Sequence, residues 1–217
     1  AKQGQTKEAL RICIEAAKED GLSRAVKAIT SVLAYGNPGD EEVQLAEPTL
    51  LRAAREYEDN ADVLLDLANA WFIAERVSEA VELYEQVLEL TPRNVLALNN
   101  LATLLSEQPD RRDDAMRHID SAIDAAGPRP ALLDTKGTVL IHAGRPQEAV
   151  HCLLEAIRGN DSDPRYHLHL AVAYLRGDES EEARSALKEA LDRNLHGQVL
   201  TEGDRKFLAE LNQSLGQ

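Results

Sequence analysis

The chain has 217 residues, a formal net charge of −14, 43% hydrophobic residues and only 4% aromatic residues. No apolar run reaches the roughly 18 residues that read as a membrane-spanning helix. So acidic a chain lacks the basic surface that nucleic acid or an anionic membrane requires; neither is an expected partner, whereas a basic protein partner is permitted.

In chain order, Gly4-Gln5-Thr6-Lys7-Glu8-Ala9 aligns with Gly144-Arg145-Pro146-Gln147-Glu148-Ala149. The first helix, expected at about 6–18, therefore reads as the second helix of a repeat whose first helix is missing. The chain opens on Ala rather than Met, and we expect it to be a fragment of a longer protein. Residues 22–58 form an irregular repeat: Ser23 is placed to cap a helix through Ala25, Ile29 and Leu33, and Gly36-Asn37-Pro38-Gly39-Asp40 is strong turn punctuation. Pro48 then predicts a second helix that begins near Glu47 or is kinked.

A regular array follows. Ala46, Ala80, Ala115, Ala149 and Ala183 succeed one another at intervals of 34, 35, 34 and 34 residues. A Leu–small pair recurs as Leu67-Ala68, Leu101-Ala102 and Leu170-Ala171, with Lys136-Gly137 as the departure, where the Lys stem must snorkel or its helix rotate. Small residues recur again at Ala122, Ala156 and Ala190. They predict close crossings within each helix pair, where a larger side chain overpacks. The extra residue of the 35-residue interval is placed in the turn Gln108-Pro109-Asp110-Arg111, where insertions are cheap. Thr201 predicts a cap, with Glu202 and Asp204 in the first turn of a last helix whose apolar face is Phe207, Leu208 and Leu211.

The stretch Ala61–Asn94 shows the unit most clearly. Leu64, Leu67, Ala68 and Trp71, then Ala80, Tyr84, Val87 and Pro92, fall at the positions of the tetratricopeptide repeat. The chain resembles that family over about residues 60–195, and the runs Leu98–Ala102, Leu133–Gly137 and Tyr166–Ala171 look similar to the C-terminal repeats of long bacterial tetratricopeptide proteins. The resemblance implies an all-α fold: a right-handed superhelical α-solenoid of about twelve helices. We expect one array over 1–217. It comprises the second half of a truncated repeat (1–20), the irregular repeat (22–58), repeats at 61–94, 95–129, 130–163 and 164–197, and a capping helix at 201–215. A bacterial cytoplasm and a periplasm remain equally open as the compartment.

No Gly-rich phosphate loop, GxSxG elbow or HExxH motif occurs, and Cys13 and Cys152 have no CxxC context. They lie repeats apart, too far for a disulfide, and read as small buried hydrophobes. His167 and His169 stand two apart and face different ways on a helix, so no metal set or cofactor is expected. Paired acids such as Asp113-Asp114 and Glu181-Glu182 read as first-turn dipole partners.

What remains is a surface. In the family resembled, first helices line a concave groove that holds a partner peptide or segment. Carried over by position, the groove is Asp62, Leu65, Asp66, Asn69, Phe72 and Ile73, then Leu96, Asn99, Asn100 and Thr103. It continues with Ala131, Asp134, Thr135, Thr138, Ile141 and His142, then Arg165, Leu168, His169, Val172 and Arg176. The asparagines are favoured because an amide both donates to and accepts from a peptide backbone, and replacing Asn69 and Asn100 is expected to leave stability unchanged. The family's clamp for acidic chaperone tails is not matched, since its basic positions fall on Leu65, Ala131 and Thr135. The expected function is a non-enzymatic scaffold for a protein partner. The alternative is a substrate-selecting or regulatory arm of an enzyme, such as a glycosyltransferase or kinase, whose catalytic domain lies outside this chain. Self-association through an N-terminal apolar edge of Leu10, Ile12 and Ile14 is a further expectation.

Overall fold

The computed structural model describes residues 2–19, 21–36, 38–198 and 200–216. Ala1 and Asp20 of the first expected segment, Asn37 of the expected turn, Val199 and Gln217 lie outside the described residues. Regular structure among the described residues is all helical. Five helices come first: α1 (Lys2–Glu19), α2 (Leu22–Gly36), α3 (Asp40–Glu56), α4 (Ala61–Ile73) and α5 (Val77–Leu90). Then follow α6 (Val95–Ser106), α7 (Arg112–Ala126), α8 (Pro130–His142), α9 (Pro146–Gly159), α10 (Pro164–Arg176) and α11 (Ser180–Asp192). A short 3₁₀ turn, Leu195–Gly197, leads to α12 (Glu202–Leu215).

Helix starts follow local chemistry. Asn60 caps α4 by accepting the Val63 N–H at 3.2 Å, and Asp163 caps α10 by accepting the Arg165 N–H at 3.0 Å. Thr201 and Asp204 form a reciprocal capping box on α12. A further pattern recurs at the second helices. Arg76, Arg111 and Arg145 stand at the N-caps of α5, α7 and α9, and each donates to an acid three residues on: Glu79 at 2.8 Å, Asp114 at 2.8 Å and Glu148 at 2.6 Å. The guanidinium holds the first-turn carboxylate where the helix dipole favours it.

Two expectations about the first unit are corrected. α1 starts at Lys2, so Gly4 is inside a helix. The Gly144 it aligns with takes φ 72° because α8 must reverse there into α9; no described helix runs into Gly4, which keeps helical geometry. Likewise α3 starts at Asp40, not near Glu47, and runs through the exposed Pro48. Asp40, Glu41 and Glu42 fill its first turn, and the Gly39 N–H donates to the Glu42 carboxylate at 3.0 Å, which favours a start well before Pro48 even though Pro48 forfeits one backbone bond. Ser23 sits inside α2, which begins one residue earlier.

The chain divides into two compact units, Ala1–Ala97 and Leu98–Gln217. In the first, α1 packs on α2 and α3, α2 on α4, and α4 on α5. Its core is the expected set: Ala46, Leu64, Leu67, Ala68, Ala80, Tyr84 and Val87 are fully buried, and Trp71 is 2% exposed. In the second, α8 packs on α9, α9 on α10, α10 on α11, and α12 mainly on α10. Ala115, Ala149 and Ala183 are fully buried there. At Gly137 a Cβ would stand 2.6 Å from Leu153 Cγ, so the small-residue position is set by a close crossing of α8 and α9. Its neighbour Lys136 stays half-buried and snorkels to Asp120, with Nζ 2.7 Å from Oδ1.

Candidate functional site

On α4, in the first unit, Asp62 is exposed, while Leu65, Asp66, Asn69, Phe72 and Ile73 are half-buried. Asn69 is not a plain surface amide: the buried Tyr84 hydroxyl donates to its carbonyl oxygen at 2.7 Å. The Asn69 amide is therefore also a packing group between α4 and α5, since it accepts from a buried hydroxyl. Burial pushes the Asp66 carboxyl up, with Lys27 opposing and Asp62 adding to the rise, and the Thr30 hydroxyl donates to the Asp66 backbone carbonyl at 3.0 Å. Of the expected N-terminal edge, Leu10 is fully buried, Ile14 is half-buried and only Ile12, 64% exposed, stands outward. The period of α1 turns Leu10 inward, and the edge is narrower than expected.

In the second unit, the Asn99 side-chain NH2 donates to the Asn100 carbonyl oxygen at 3.2 Å, and the Thr103 hydroxyl donates to the Asn99 backbone carbonyl at 3.1 Å. The side-chain oxygen of Asn99 is buried with no donor among the described residues. Thr135 is buried and donates to the Ala131 carbonyl, and Thr138 donates to that of Thr135, so both hydroxyls turn back into α8. Leu168 and Val172 are fully buried and Ile141 nearly so, which places these groove candidates in the core.

The reason the last candidates are not open is α12. Its residues Asp204, Phe207 and Glu210 face α8 and α10. His169, only 5% exposed, lies between two carboxylates: Nδ1 is 2.7 Å from Asp134 Oδ1 and Nε2 is 2.8 Å from Asp204 Oδ1. Burial alone would lower its pKa, but the two carboxylates outweigh burial and raise it to about 10. Asp204, which burial would push up, is held down at about 2 by His169 and by the Thr201 cap. Phe207 stacks on His142 with ring centroids 5.3 Å apart and meets the edge of His169 at 5.9 Å. The Arg176 guanidinium lies 5.5 Å over the Phe207 ring and grips Glu210 through Nε at 3.1 Å and Nη2 at 2.9 Å. Burial, with nearby Arg176, lowers the His142 pKa to about 4. Lys206 reaches Glu107, beyond the end of α6, at 3.2 Å. Arg165 is held by its own cap, with Nη2 2.5 Å from Asp163 Oδ2.

Sequence reasoning missed Asp204 and Glu210 as inward-facing groups. The available signal was their three-residue spacing about Phe207, opposite His and Arg on successive first helices.

Away from these faces, a cleft of about 510 Å³ is lined in part by Met116, Asp120, Lys136, His151 and Cys152. Burial pushes the Cys152 thiol up, away from the reactive thiolate. Both cysteines are half-buried rather than buried as expected. Among the described residues no group of three or more His, Cys, Asp and Glu is placed to hold a metal ion, and no helix is long and apolar enough to cross a membrane.

Comparison with known proteins agrees with the repeat reading. A tetratricopeptide repeat model matches residues 39–95 and 135–194, and a second matches 83–123. The TPR repeat-containing thioredoxin TTL4 of Arabidopsis thaliana is 39% identical over 74 residues, which are 34% of this chain and only 11% of that protein. Among solved structures, a thermophilic TPR protein of Thermus thermophilus is similar with a TM-score of 0.63 and 20% identity, over 82% of this chain and 92% of that one. MamA from Desulfovibrio magneticus RS-1 is similar with a TM-score of 0.61 and 15% identity, over 83% and 99%. At such identities these structures attest the fold alone. The matched models, the recurring Ala and Leu–small positions and the helix pairs together make this chain a member of the tetratricopeptide repeat family, with the helical-repeat fold of that family.

Proposed function

We propose that the chain is a protein-interaction scaffold, and that within each unit the first helices offer a surface to a segment of a partner protein. The candidate contact residues are Asp62, Leu65, Asn69, Phe72 and Ile73 on α4, and Asn99, Asn100 and Thr103 on α6. Asp134, Thr138 and His142 on α8 and Arg165 and Arg176 on α10, expected with them, are engaged by their own neighbours and by α12 and are left out of the contact set. The observation that carries the reading is the side-chain oxygen of Asn99, buried and without a donor among the described residues. Buried polar groups are nearly always paired; this oxygen is closed to solvent, so a partner N–H satisfies it only when the Asn99 amide turns outward. Phe72 beside Ile73 supports it: two large apolar residues, both left half-buried on α4.

The test is capture of partners by the wild-type chain and by an Asn99→Leu variant, followed by identification by mass spectrometry. Replacing an unsatisfied acceptor with an apolar group is expected to keep or slightly raise thermal stability. Loss of a captured protein with stability retained supports the reading. Equal capture by both chains removes Asn99 and the α6 face from it.

A further inference from the structure

We propose that the cleft between α7, α8 and α9 is a binding site for a small amphipathic carboxylate, and that Lys136 is the residue that receives its carboxylate group. The walls come from the second helices α7 and α9, so the site is separate from the first-helix surfaces and does not rest on the scaffold reading.

Two independent observations meet at this place. The first is a departure from the repeat. Leu67, Leu101 and Leu170 hold one repeat position and are buried, whereas the repeat at 130–163 puts Lys136 there. An amine at an apolar position forfeits the burial that a Leu would gain. Such breaks of a local rule concentrate at functional sites. The second observation is the cleft itself, which encloses about 510 Å³ and which Lys136 lines. Small-molecule sites are typically clefts of roughly 300–1,000 Å³. Buried Leu140, with half-buried Met116 and Cys152, gives this one an apolar and polarizable lining.

The hydrogen-bond inventory selects the class of ligand. The two acids of the cleft are already matched. Asp120 accepts from the Lys136 ammonium at 2.7 Å, and Glu148 accepts from Arg145 Nε and Nη2, each at 2.6 Å. An ammonium and a guanidinium carry more N–H donors than these bonds use. What the cleft lacks is an acceptor, and a carboxylate is a strong one because the bond to it is charge-assisted. A cationic ligand has to share acids that are already paired. The net charge of −14 opposes an anion at long range, but that repulsion is screened beyond about 8 Å at physiological salt.

The experiment follows alkylation of Cys152 by iodoacetamide on the full chain, read by mass spectrometry, with Cys13 of the first unit as internal reference. The probes are hexanoate, hexanamide and hexylammonium, at millimolar concentration and constant ionic strength. Hexanoate is expected to slow the alkylation of Cys152 and to leave Cys13 unchanged. Hexanamide and hexylammonium, which share the apolar body, are expected to need at least about tenfold higher concentration for the same protection. Lys136→Met places an apolar residue where the repeat accepts Leu, so it is expected to fold, and to weaken hexanoate protection at least about tenfold. Lys136→Arg should retain it. Asp120→Asn removes a carboxylate that competes for Lys136, on a side chain 48% exposed, and should tighten hexanoate binding about two- to fivefold. Absence of protection, equal protection by the three probes, or hexanoate protection unchanged in Lys136→Met overturns the proposal. Should Lys136→Met fail to fold, hexanoate binding that is unchanged or weaker in Asp120→Asn overturns it instead.

Discussion

Two first helices at equivalent places in their repeats have different fates. On α4, in the first unit, Leu65, Phe72 and Ile73 stay half-buried. On α10, in the second unit, His169 is sealed beneath α12, and Leu168 and Val172 are core. Position in the repeat therefore decides which residues face inward, but what lies opposite decides whether they are available. The difference is chemical as much as geometric. The α4 face carries Leu65, Phe72 and Ile73 with two acids, Asp62 and Asp66, and an amide tied to Tyr84, whereas the α8 and α10 face carries imidazoles and a guanidinium held by acids and an aromatic ring.

The largest effects that would sharpen this contrast come from His169 and Phe207. His169→Leu leaves Asp134 and Asp204 without their shared cation, and is expected to cost about 3–5 kcal/mol in denaturant unfolding of the second unit. Phe207→Ala should cost a similar ~3–5 kcal/mol, whereas Phe72→Ala, half-buried on α4, should cost no more than about 1.5 kcal/mol. Equal losses at Phe72 and Phe207 would erase the distinction between an open and a filled face. Next in size, Asn69→Ala should cost about 0.5–1.5 kcal/mol by removing one hydrogen bond to the Tyr84 hydroxyl; a double-mutant cycle with Tyr84→Phe measures the coupling.

The pH dependence has a defined sign. His169, raised to about 10 between Asp134 and Asp204, contributes stability that is complete below the ordinary histidine value near 6.5 and is lost as pH rises through 10. His142, lowered to about 4 by burial and Arg176, contributes stability that is complete above 6.5 and is lost as pH falls through 4. Asp204, held at about 2, adds a further loss below the ordinary aspartate value. Stability of the second unit should therefore peak near pH 6.5, and thermal melts of His169→Gln should lack the alkaline limb. The smallest expected effect is Asn99→Leu, which should stabilise by no more than about 1 kcal/mol.

Much of the fold was legible because close helix crossings tolerate only small residues. Ala46, Ala80, Ala115, Ala149 and Ala183 repeat for that reason, and all five are fully buried. Helix starts were less legible. Pro48 suggested a start near Glu47 or a kink, whereas α3 starts at Asp40 with three acids in its first turn, and Gly4 looked like a turn only by analogy with Gly144. The candidate site was half legible. Its positions followed from the repeat register, so the α4 residues fall where expected. The covering of α10 depends on where a helix thirty residues further on comes to rest, and no local period encodes that. Tyr84 bonding to Asn69 was hidden for the same reason: both residues fit the repeat pattern, and only their proximity turns a surface amide into a structural acceptor.

The most direct test of the central claim, that α12 seals the α8 and α10 face as part of the core of the second unit while the α4 face stays open, is native-state hydrogen exchange on the unmodified chain. The account predicts that backbone amides of α12 and α10 open together, at similar free energy. If α12 opens at clearly lower free energy while α10 stays protected, α12 is a loosely held cover and the claim fails.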